Sequence, residues 1–424
     1  MYLTIKENFK PTKQERKLLN LLCHISKNIY NSYLYVYRFA YFNKIENVDK
    51  LLYQKLYKNE NFNLINEYTT KTIKTKINTS MKNFKNGYIK LPKYLKTYGM
   101  FPIFVSNPKI TIIKNTLYFK LPFADLTKSS KIFNTIFEDE LINCFIKESA
   151  LKNSFDIYIK IPRYLFKKKI RQVTIIPKFK GLEYEILFTY INEEKSNLIP
   201  NNHNNIMAID LGINNLASIV ISNNKAYIID GKKLKSINQY YNKQISHYSS
   251  KKPNAKVLTK KEFLITKKRN NRTTDYIQKA SKQIINLALE NKTTEIIIGY
   301  NFNFKNLNQH LKKSTQLFKE IPLSRFKDLV INKANKFHIS AKVINESYTS
   351  KCSFYDNEEI KFHYKYLGTR ISRGLYKTKN GLIINADINA ALNILKKSKP
   401  EKKELISFLR NSGQVMPCRL KVKL

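Results

Sequence analysis

Two aspartates lie at predicted element ends where a carboxylate could take part in metal-assisted chemistry. Asp210 falls near the end of the apolar strand predicted over Ile206–Leu211, and Asp387 falls in the first turn of the helix predicted over Ala386–Lys396. Carboxylates that hold two Mg²⁺ ions about 4 Å apart can cleave a phosphodiester bond, one ion serving the attacking water and the other the leaving oxygen. Each aspartate alone also has a simpler explanation, as a turn or cap residue at position 210 and as a helix N-terminal residue favoured by the helix dipole at position 387.

The segments around these aspartates resemble the first and third RuvC motifs of the TnpB (OrfB) proteins of insertion sequences. The first is AIDLGINNLA at Ala208–Ala217, and the third is NADINAALNI at Asn385–Ile394. Between them, Ile298–Asn301 and Glu346–Ser350 resemble the second motif of the family and the segment before its zinc ribbon. The likeness extends over about the whole chain, weakly in the N-terminal half and strongly from Ile206 onward. The family is related to type V CRISPR effectors and to Fanzor proteins.

The resemblance implies an RNA-guided, Mg²⁺-dependent DNA endonuclease with a single RuvC site, encoded by an insertion sequence. Its partners would be a guide RNA from the element's own end and a target DNA duplex with a short adjacent motif, so that base pairing reads the sequence. Its fold would be an α+β N-terminal wedge barrel with a helical insertion, followed by an α/β RNase H-like (RuvC) nuclease domain. Asp210, Glu346 and Asp387 would be the catalytic residues that bind two Mg²⁺ ions, and Asn389 would support the site by hydrogen bonding.

The second motif departs from the family pattern, because Gly299 stands where the strand usually ends in Glu. Glu346 follows the next predicted strand, Ala341–Asn345. If that strand pairs parallel to Glu295–Gly299, Glu346 lies at the same sheet edge, displaced by one strand spacing of about 4.8 Å. Glu346 could instead be a surface residue paired with a lysine, whereas Glu295 begins its strand and points to the wrong end.

The zinc ribbon of the family is also altered, in a degenerate segment at about 349–382. The chain has four cysteines without a CxxC pair, and Lys351–Asn380 contains only Cys352. One thiolate and His363 cannot complete a tetrahedral zinc site, so we expect an apolar hairpin or loop without structural zinc. Its basic residues could contact DNA or form a solvated loop: Lys351, Arg370, Arg373 and Lys377.

The charge balance indicates a polyanionic partner. The 424 residues include 77 lysines and arginines against 31 aspartates and glutamates, a formal net charge of +46. Such a charge favours nucleic acid, although an AT-rich genome would also raise the lysine count. The hydrophobic content of 42% excludes a wholly disordered chain. No apolar run approaches the roughly 20 residues of a spanning helix, and the N-terminus lacks a signal-peptide pattern. We therefore expect no membrane partner and a cytoplasmic protein, nucleoid-associated when bound to DNA.

The N-terminal half mixes helices with strands of period two. A capping box at Thr12–Glu15 opens a helix, and a second basic helix is predicted over Tyr68–Phe84. Later strands complete a mixed pattern, which is typical of a β-barrel with a helical insertion. The resemblance implies that this is an oligonucleotide-binding-like wedge barrel over 1–200, with the helical recognition insertion at about 12–90. The polar stretch Asn192–Asn205 is the predicted domain boundary.

The C-terminal half, 201–424, reads as three strands followed by alternating helices and strands. That order is typical of an RNase H-like domain, in which the first strand lies inside the sheet and later strands are added parallel beside it. The stretch Lys251–Arg272 holds nine basic residues and one acidic residue. This run is either a solvated face or a phosphate contact, with three candidate nucleic-acid-binding residues: Lys267, Lys268 and Arg269.

Other functions fit parts of the sequence. A nuclease-inactive, RNA-guided DNA-binding repressor would explain Gly299 but not the retained acids Asp210, Glu346 and Asp387. A strand-transferring transposase, or an accessory transposase protein, would also belong to an insertion sequence. A housekeeping RNA-binding protein would fit the charge and leave the three placed carboxylates unexplained.

Overall fold

The computed structural model describes residues 2–56, 59–108, 110–113, 116–120, 157–191, 205–252, 259–301, 321–372, 374–412 and 416–422. The chain divides into two compact units, Met1–Glu194 and Lys195–Leu424. Most of the predicted boundary stretch, residues 192–204, lies outside the described residues. The two units are described separately.

The helices of the first unit begin at the capping box. In α1 (Lys13–Phe42), the Thr12 hydroxyl accepts a hydrogen bond from the N–H of Glu15 at 3.3 Å, and the Glu15 carboxylate accepts one from the N–H of Thr12 at 2.7 Å. This reciprocal cap satisfies amides that the first helical turn leaves unpaired, which confirms the predicted capping box. Helices α2 (Val48–Leu56) and α3 (Glu67–Lys85) follow, with a short 3₁₀ turn at Glu60–Asn63.

The strands of the first unit form antiparallel sheets. The larger sheet has the order β1-β7-β6-β2, and the smaller one has the order β3-β4-β5. The larger sheet comprises β1 (Tyr2–Phe9), β2 (Ile103–Ser106), β6 (Lys169–Lys178) and β7 (Glu183–Ile191). The smaller comprises β3 (Ile110–Ile113), β4 (Thr116–Lys120) and β5 (Tyr158–Lys160). Within the described part of the chain, these strands are two separate sheets and not a closed barrel.

The apolar stripes of α1 and α3 share one core with these strands. Further 3₁₀ turns lie at Arg163–Leu165 and Phe179–Gly181. The buried helix residues include Leu18, Leu22, Ile25, Ile29, Ile73, Ile77 and Met81. These positions recur at the helical spacing of three and four residues, which places them on one face of each helix.

The second unit is built on a mixed sheet with the strand order β12-β11-β8-β9-β10-β16 among the described residues. Its strands are β8 (Asn205–Leu211), β9 (Asn215–Ile221), β10 (Lys225–Asp230), β11 (Thr293–Gly299), β12 (Ser340–Ile344) and β16 (Cys418–Leu420). Strands β8, β11 and β12 are parallel, whereas β9 is antiparallel to β8 and β10. The first strand thus lies inside the sheet with later strands parallel beside it, as the sequence predicted.

Helices cover both faces of this sheet because successive strand residues point to opposite sides. On one face, Ile209 and Ile298 pack with the helices α5 (Lys260–Glu290) and α6 (Leu323–Lys336). On the other face, Ala208 and Ile297 pack with α7 (Ala386–Ser398) and α8 (Lys403–Asn411). Burial on both faces explains why the β8 and β11 sequences are apolar without alternation.

Helix α4 (Lys232–Ser250) was not predicted, and α5 begins at Lys260 inside the basic run. The part of the run from Lys260 onward therefore belongs to α5. Its residues 253–258 lie outside the described ranges. None of the helices that the structure describes is both long enough and apolar enough to cross a membrane.

A small antiparallel sheet precedes α7. It comprises β13 (Thr369–Ser372), β14 (Leu375–Lys377) and β15 (Ile383–Asn385), paired in the order β13-β14-β15. Strand β15 runs directly into α7, so this sheet sets the position of the first helical turn. A hairpin, β13 with β14, is present in the segment where a hairpin or loop was expected, and its Tyr376 is buried while Leu375 is exposed.

Candidate active site

Three elements bring Asp210, Glu346 and Asp387 to one edge of the mixed sheet. In the parallel register, Ile209 of β8 pairs with Ile298 of β11, and Gly299 pairs with Ile344 of β12. The carboxyl ends of these strands therefore meet at one edge, with Asp210 at the end of β8 and Glu346 just past the end of β12. Asp387 reaches the same edge from the first turn of α7.

Gly299 occupies the strand end between Asp210 and Glu346, and a side chain at this position would meet the side chain of Ile394. A Cβ atom at this position would lie 2.3 Å from Ile394 Cδ1 and 3.4 Å from Glu346 Cβ. The first distance is far below van der Waals contact, so a side chain at position 299 would require the Ile394 side chain to move. The absence of a side chain leaves room for the Ile394 side chain at this strand end.

The three carboxyl groups interact electrostatically. The pKa of Asp210 is raised well above its usual value, first by desolvation, then by the negative charges of Glu346 and Asp387, and Arg370 opposes the rise. Burial raises the pKa of Glu346 to about 7. Both shifts show that the site disfavours its own negative charge, which a bound cation would relieve.

Asp387 is fixed from two sides. The Asn385 side chain caps α7 by accepting hydrogen bonds from the N–H groups of Asp387 (3.0 Å) and Ile388 (3.1 Å). The amide of Asn215 donates to Asp387 Oδ2 at 2.7 Å, and the Arg370 guanidinium lies 3.6 Å from Asp387 Oδ1. Each carboxylate oxygen of Asp387 therefore already has a partner.

Arg419 extends this network from the edge strand β16. Its guanidinium donates to Asn215 Oδ1 at 3.3 Å and to Asp230 Oδ1 at 3.5 Å. The turn that carries Asn215 needs glycine, because a Cβ at Gly212 would lie 2.6 Å from the Asn215 carbonyl oxygen. The turn thus aims the Asn215 amide at Asp387.

The carboxylates suit a hard divalent cation in their chemistry, although they are not gathered into a finished coordination shell. In the ranges that the structure describes, no three His, Cys, Asp or Glu side chains form a group that could hold an ion. Three mutually repelling carboxyl groups, two with raised pKa values, nevertheless form the oxygen donor set that Mg²⁺ prefers. The residues fit the ion if Asp387 gives up Arg370 and the side chains turn toward one another.

A cleft of about 940 Å³ opens over Asp210 and Asp387. Its lining also contains basic residues contributed by α4, β13 and β16: Lys232, Lys235, Arg370 and Arg419. A cleft with carboxylates on its floor and cations along its walls matches a phosphodiester strand, because the cations bind phosphate oxygens.

Asn389 supports a neighbouring loop and not the carboxylates. It donates to the Cys352 carbonyl at 2.9 Å and accepts from the N–H of Phe354 at 3.0 Å. One helical turn later, Asn393 donates to the carbonyls of Thr349 (2.9 Å) and Cys352 (2.7 Å). These asparagines, four residues apart on one face of α7, hold the loop that follows Glu346.

A buried glutamate organises the segment where the family has its zinc ribbon. Glu358 is 5% exposed and accepts hydrogen bonds from the N–H groups of Ser353 (2.7 Å) and Leu367 (2.9 Å). The Cys352 thiol donates to the Glu359 carbonyl at 3.4 Å. A carboxylate thereby ties together two parts of this segment by hydrogen bonds.

The predicted basic residues have different surroundings. Arg370 lies in the cleft, whereas the ammonium group of Lys351 lies 5.7 Å from the ring centre of Tyr366, and Lys377 is exposed on β14. Arg373 lies outside the described residues.

The basic residues of α5 are elsewhere on the second unit. Arg269 donates to Asn238 of α4 at 2.8 Å, and its guanidinium lies 5.4 Å from the ring centre of Tyr241. Lys267 is partly buried and Lys268 is exposed. None of the three is among the described residues that line the cleft.

Sequence reasoning missed Lys232, Lys235, Arg419, Asn393 and Glu358. The spacing of Asn389 and Asn393 was a usable signal for the two helix asparagines. No comparable signal in the sequence marked the basic residues of the cleft, because α4 was not predicted and β16 is only three residues long.

Two family models match the second half of the chain. One described as a probable transposase, OrfB_IS605, matches residues 189–305. The other, described as a Cas12f1-like TNB domain, matches residues 324–394. The first range contains Asp210, and the second contains Glu346 and Asp387.

Comparisons with individual proteins agree with these matches. The TnpB-like protein ORF457 of Acidianus two-tailed virus is 24% identical over 229 residues, which cover 51% of this chain and 48% of that protein. The match thus spans about half the length of the viral relative. The fold resembles Cas12f1 in a cryo-EM structure of the Cas12f1–sgRNA–target DNA complex, with a TM-score of 0.55, 15% sequence identity, and coverage of 90% of this chain and 83% of that one. Taken together, the motifs, the family models and the viral relative make the second half of the chain similar to the TnpB (OrfB) family.

Proposed function

We propose that the protein is an RNA-guided, Mg²⁺-dependent DNA endonuclease with a single RuvC site, encoded by an insertion sequence. The observation that carries the proposal is the meeting of Asp210, Glu346 and Asp387 from three elements at one sheet edge, with the pKa of Asp210 raised by burial and by the other two charges. Neighbouring carboxylates disfavour one another's negative charge, and a bound divalent cation would offset that cost.

The two units would divide the work. The second unit would be the RNase H-like (RuvC) nuclease domain, with 201–424 as its extent and a ribbon segment without zinc at about 349–382. The first unit, over 1–200, would be the wedge domain, with recognition helices at about 12–90. The partners would be a guide RNA from the element end and a target duplex with a short adjacent motif, as in effectors that delegate sequence reading to a guide.

Asp210, Glu346 and Asp387 would hold the metal ions, and Asn215 would keep Asp387 oriented through its 2.7 Å hydrogen bond. When bound, Mg²⁺ activates water and stabilises the leaving oxygen. Arg370 would move from Asp387 to a phosphate oxygen of the strand, since the ion replaces its charge beside the carboxylate. The walls of the cleft would hold the strand by its phosphates.

The test is cleavage by the full chain purified together with its RNA. Sequencing the co-purifying RNA supplies the guide, and a duplex library with randomised flanks supplies the adjacent motif. We expect Asp210→Asn, Glu346→Gln and Asp387→Asn each to lower the cleavage rate by about 100-fold or more while target binding persists. The matched control is Asp275→Asn, which removes an exposed carboxylate on α5 that pairs with Lys279. Wild-type cleavage unaffected by Glu346→Gln would contradict the assignment of that residue.

One alternative has a specific observation in its favour. A nuclease-inactive, RNA-guided DNA-binding repressor agrees with Gly299 at the strand end and with the unfinished coordination shell within the described residues. It predicts guide-dependent target binding with no cleavage by the wild type at any Mg²⁺ concentration.

A strand-transferring transposase is the other alternative, favoured by the description of the family model that matches residues 189–305. It predicts joined DNA ends as a product of the purified protein alone. End joining without RNA would therefore replace our proposal.

A further inference from the structure

The edge strand β16 reaches the candidate active site through one side chain, that of Arg419. In the parallel register of β10 and β16, Arg419 pairs with Ile228. Ile228 packs on the sheet face that α7 covers, and paired residues of neighbouring strands point to the same face, so the Arg419 side chain lies on that face as well. It is 47% exposed and lines the cleft. Among the carboxylates that the structure describes, its guanidinium lies within ion-pair distance of Asp230 alone.

The side-chain amide of Asn215 connects Arg419 to Asp387. Arg419 Nη1 donates to Asn215 Oδ1 at 3.3 Å, and Asn215 Nδ2 donates to Asp387 Oδ2 at 2.7 Å. Asn215 pairs with Asp230 across β9 and β10, and Arg419 Nη1 lies 3.5 Å from Asp230 Oδ1. Asp230 therefore holds the guanidinium beside the asparagine.

The guanidinium decides which way the Asn215 amide faces. The two ends of an asparagine amide have opposite roles, because the oxygen accepts hydrogen bonds and the nitrogen donates them. Arginine has donors only, so the amide atom that faces Arg419 has to be the oxygen. The nitrogen then faces Asp387, whose ionised carboxylate only accepts. Without Arg419, a half-turn of the amide would place its oxygen against that carboxylate, where two acceptors repel each other.

We propose that Arg419 is a positioning residue that acts on Asp387 through Asn215 and thereby raises the affinity of the site for a divalent cation. A carboxylate that is already held by a hydrogen bond does not need to be oriented when the ion binds. Loss of such outer-shell partners lowers metal affinity by about 10- to 100-fold. The inference rests on the proposed function for the presence of an ion, and it goes beyond that function by assigning a role to β16.

The sign of the effect separates positioning from simple electrostatics. The Arg419 guanidinium is a positive charge near the carboxylates, so its Coulomb field alone disfavours a bound cation. Removing that charge would strengthen metal binding if charge were its only contribution, whereas loss of the oriented Asn215 amide weakens it. A residue that only contacts DNA phosphate would change DNA affinity and would not weaken metal binding in the absence of DNA.

The experiment measures the affinity of the full chain without nucleic acid for Mn²⁺, which suits the same oxygen ligands as Mg²⁺, from the electron paramagnetic resonance signal of the free ion. We expect Arg419→Met and Asn215→Ala each to weaken binding about 10-fold. The double variant should bind as weakly as Asn215→Ala alone, because the two residues act in series. Arg419→Lys should keep most of the affinity, since an ammonium group also only donates. The matched control is Arg272→Met, which removes an exposed arginine of α5 and should bind like wild type.

Equal or tighter Mn²⁺ binding by Arg419→Met would overturn the proposal, because the arginine would then be only a charge or a phosphate contact. Additive losses in the double variant would overturn it too, since Arg419 would act independently of Asn215. We expect Arg419→Met to keep the wild-type melting temperature in EDTA, and a variant that lost Mn²⁺ only by unfolding would also contradict a positioning role. Failure of the proposed function has a different signature, in which wild type and Asp387→Asn bind Mn²⁺ equally, and that result would overturn both proposals together.

Discussion

Glu346 is the residue whose protonation should couple metal binding to pH. Its pKa of about 7 lies above the usual 4.5 because the carboxyl group is buried. Because the pKa of Glu346 is higher in the folded protein than in the unfolded chain, the folded state is relatively more stable when this carboxyl group is protonated. That stability is lost as pH rises through the pKa of the folded protein. Mg²⁺ competes with the proton for the same oxygens, so its affinity should increase over the same range.

We therefore expect the metal-free wild type to lose thermal stability between about pH 5 and about pH 8, and Mg²⁺ to restore it at the upper value. Glu346→Gln should be less sensitive to pH and should gain less from Mg²⁺, because it keeps a neutral side chain. Melting temperatures with EDTA or Mg²⁺ measure this, with Asp275→Asn as the control that behaves like wild type. Identical pH profiles for wild type and Glu346→Gln would contradict the electrostatic account of the site.

The two aspartates could be predicted because short motifs carry them, and Glu346 could be predicted because parallel strands end at one edge. The sequence could not show that a side chain at position 299 would meet the Ile394 side chain, because Ile394 belongs to a helix almost a hundred residues later. Similarly, Asn389 belonged to the right motif, but its hydrogen bonds go to the loop at Cys352 and Phe354. Long-range packing decides such partners, and residue spacing does not encode it.

Helix α7 does more than deliver Asp387, because it anchors the loop that carries Tyr348 and Ser350. Asn393 is fully buried and donates to the carbonyls of Thr349 and Cys352. Removing its amide leaves the buried Thr349 carbonyl without this donor, whereas the Cys352 carbonyl keeps its hydrogen bond from Asn389. Each unpaired group of this kind costs about 1–3 kcal/mol.

Asn393→Ala should accordingly lower the free energy of unfolding by about 1–3 kcal/mol, and it should loosen the turn between Glu346 and Cys352. Urea unfolding measures the first effect, and hydrogen exchange of the residues 349–354 measures the second. Asn411→Ala at the exposed end of α8 is the matched control. Unchanged exchange in 349–354 despite lower stability would show that the asparagine stabilises α7 alone.

At the level of fold elements, the alternation of strand and helix in the second unit could be predicted, because burial on both sheet faces makes β8 and β11 continuously apolar. Helix α4 could not be predicted, because its residues are mostly polar. It packs against α5 through pairs such as Asn238 and Arg269, which lie far apart in the sequence. A closed wedge barrel remains a proposal for the first unit, whose described strands form two sheets.

The net charge of +46 gives the whole molecule two salt responses of opposite sign. Several buried or half-buried acids are already neutralised locally, as Glu262 is by Lys252 and Glu295 is by Lys342 and Lys399. The remaining positive charge repels itself in the free protein, and salt screens that repulsion. Nucleic acid binding releases counterions, so salt weakens it.

Raising NaCl should therefore increase the melting temperature of the RNA-free protein and decrease its affinity for DNA. A double substitution of cleft lysines, Lys232→Gln with Lys235→Gln, should reduce the slope of log affinity against log salt by about 2, since each phosphate contact contributes about one. Lys279→Gln, which removes a lysine paired with Asp275 on α5, should leave the slope unchanged. Fluorescence anisotropy across a salt series measures the slope, and calorimetry measures the melting temperature. If the double variant Lys232→Gln with Lys235→Gln gave the same slope as wild type, these two cleft lysines would not be phosphate contacts. The positive charge that binds DNA would then have to lie elsewhere on the molecule.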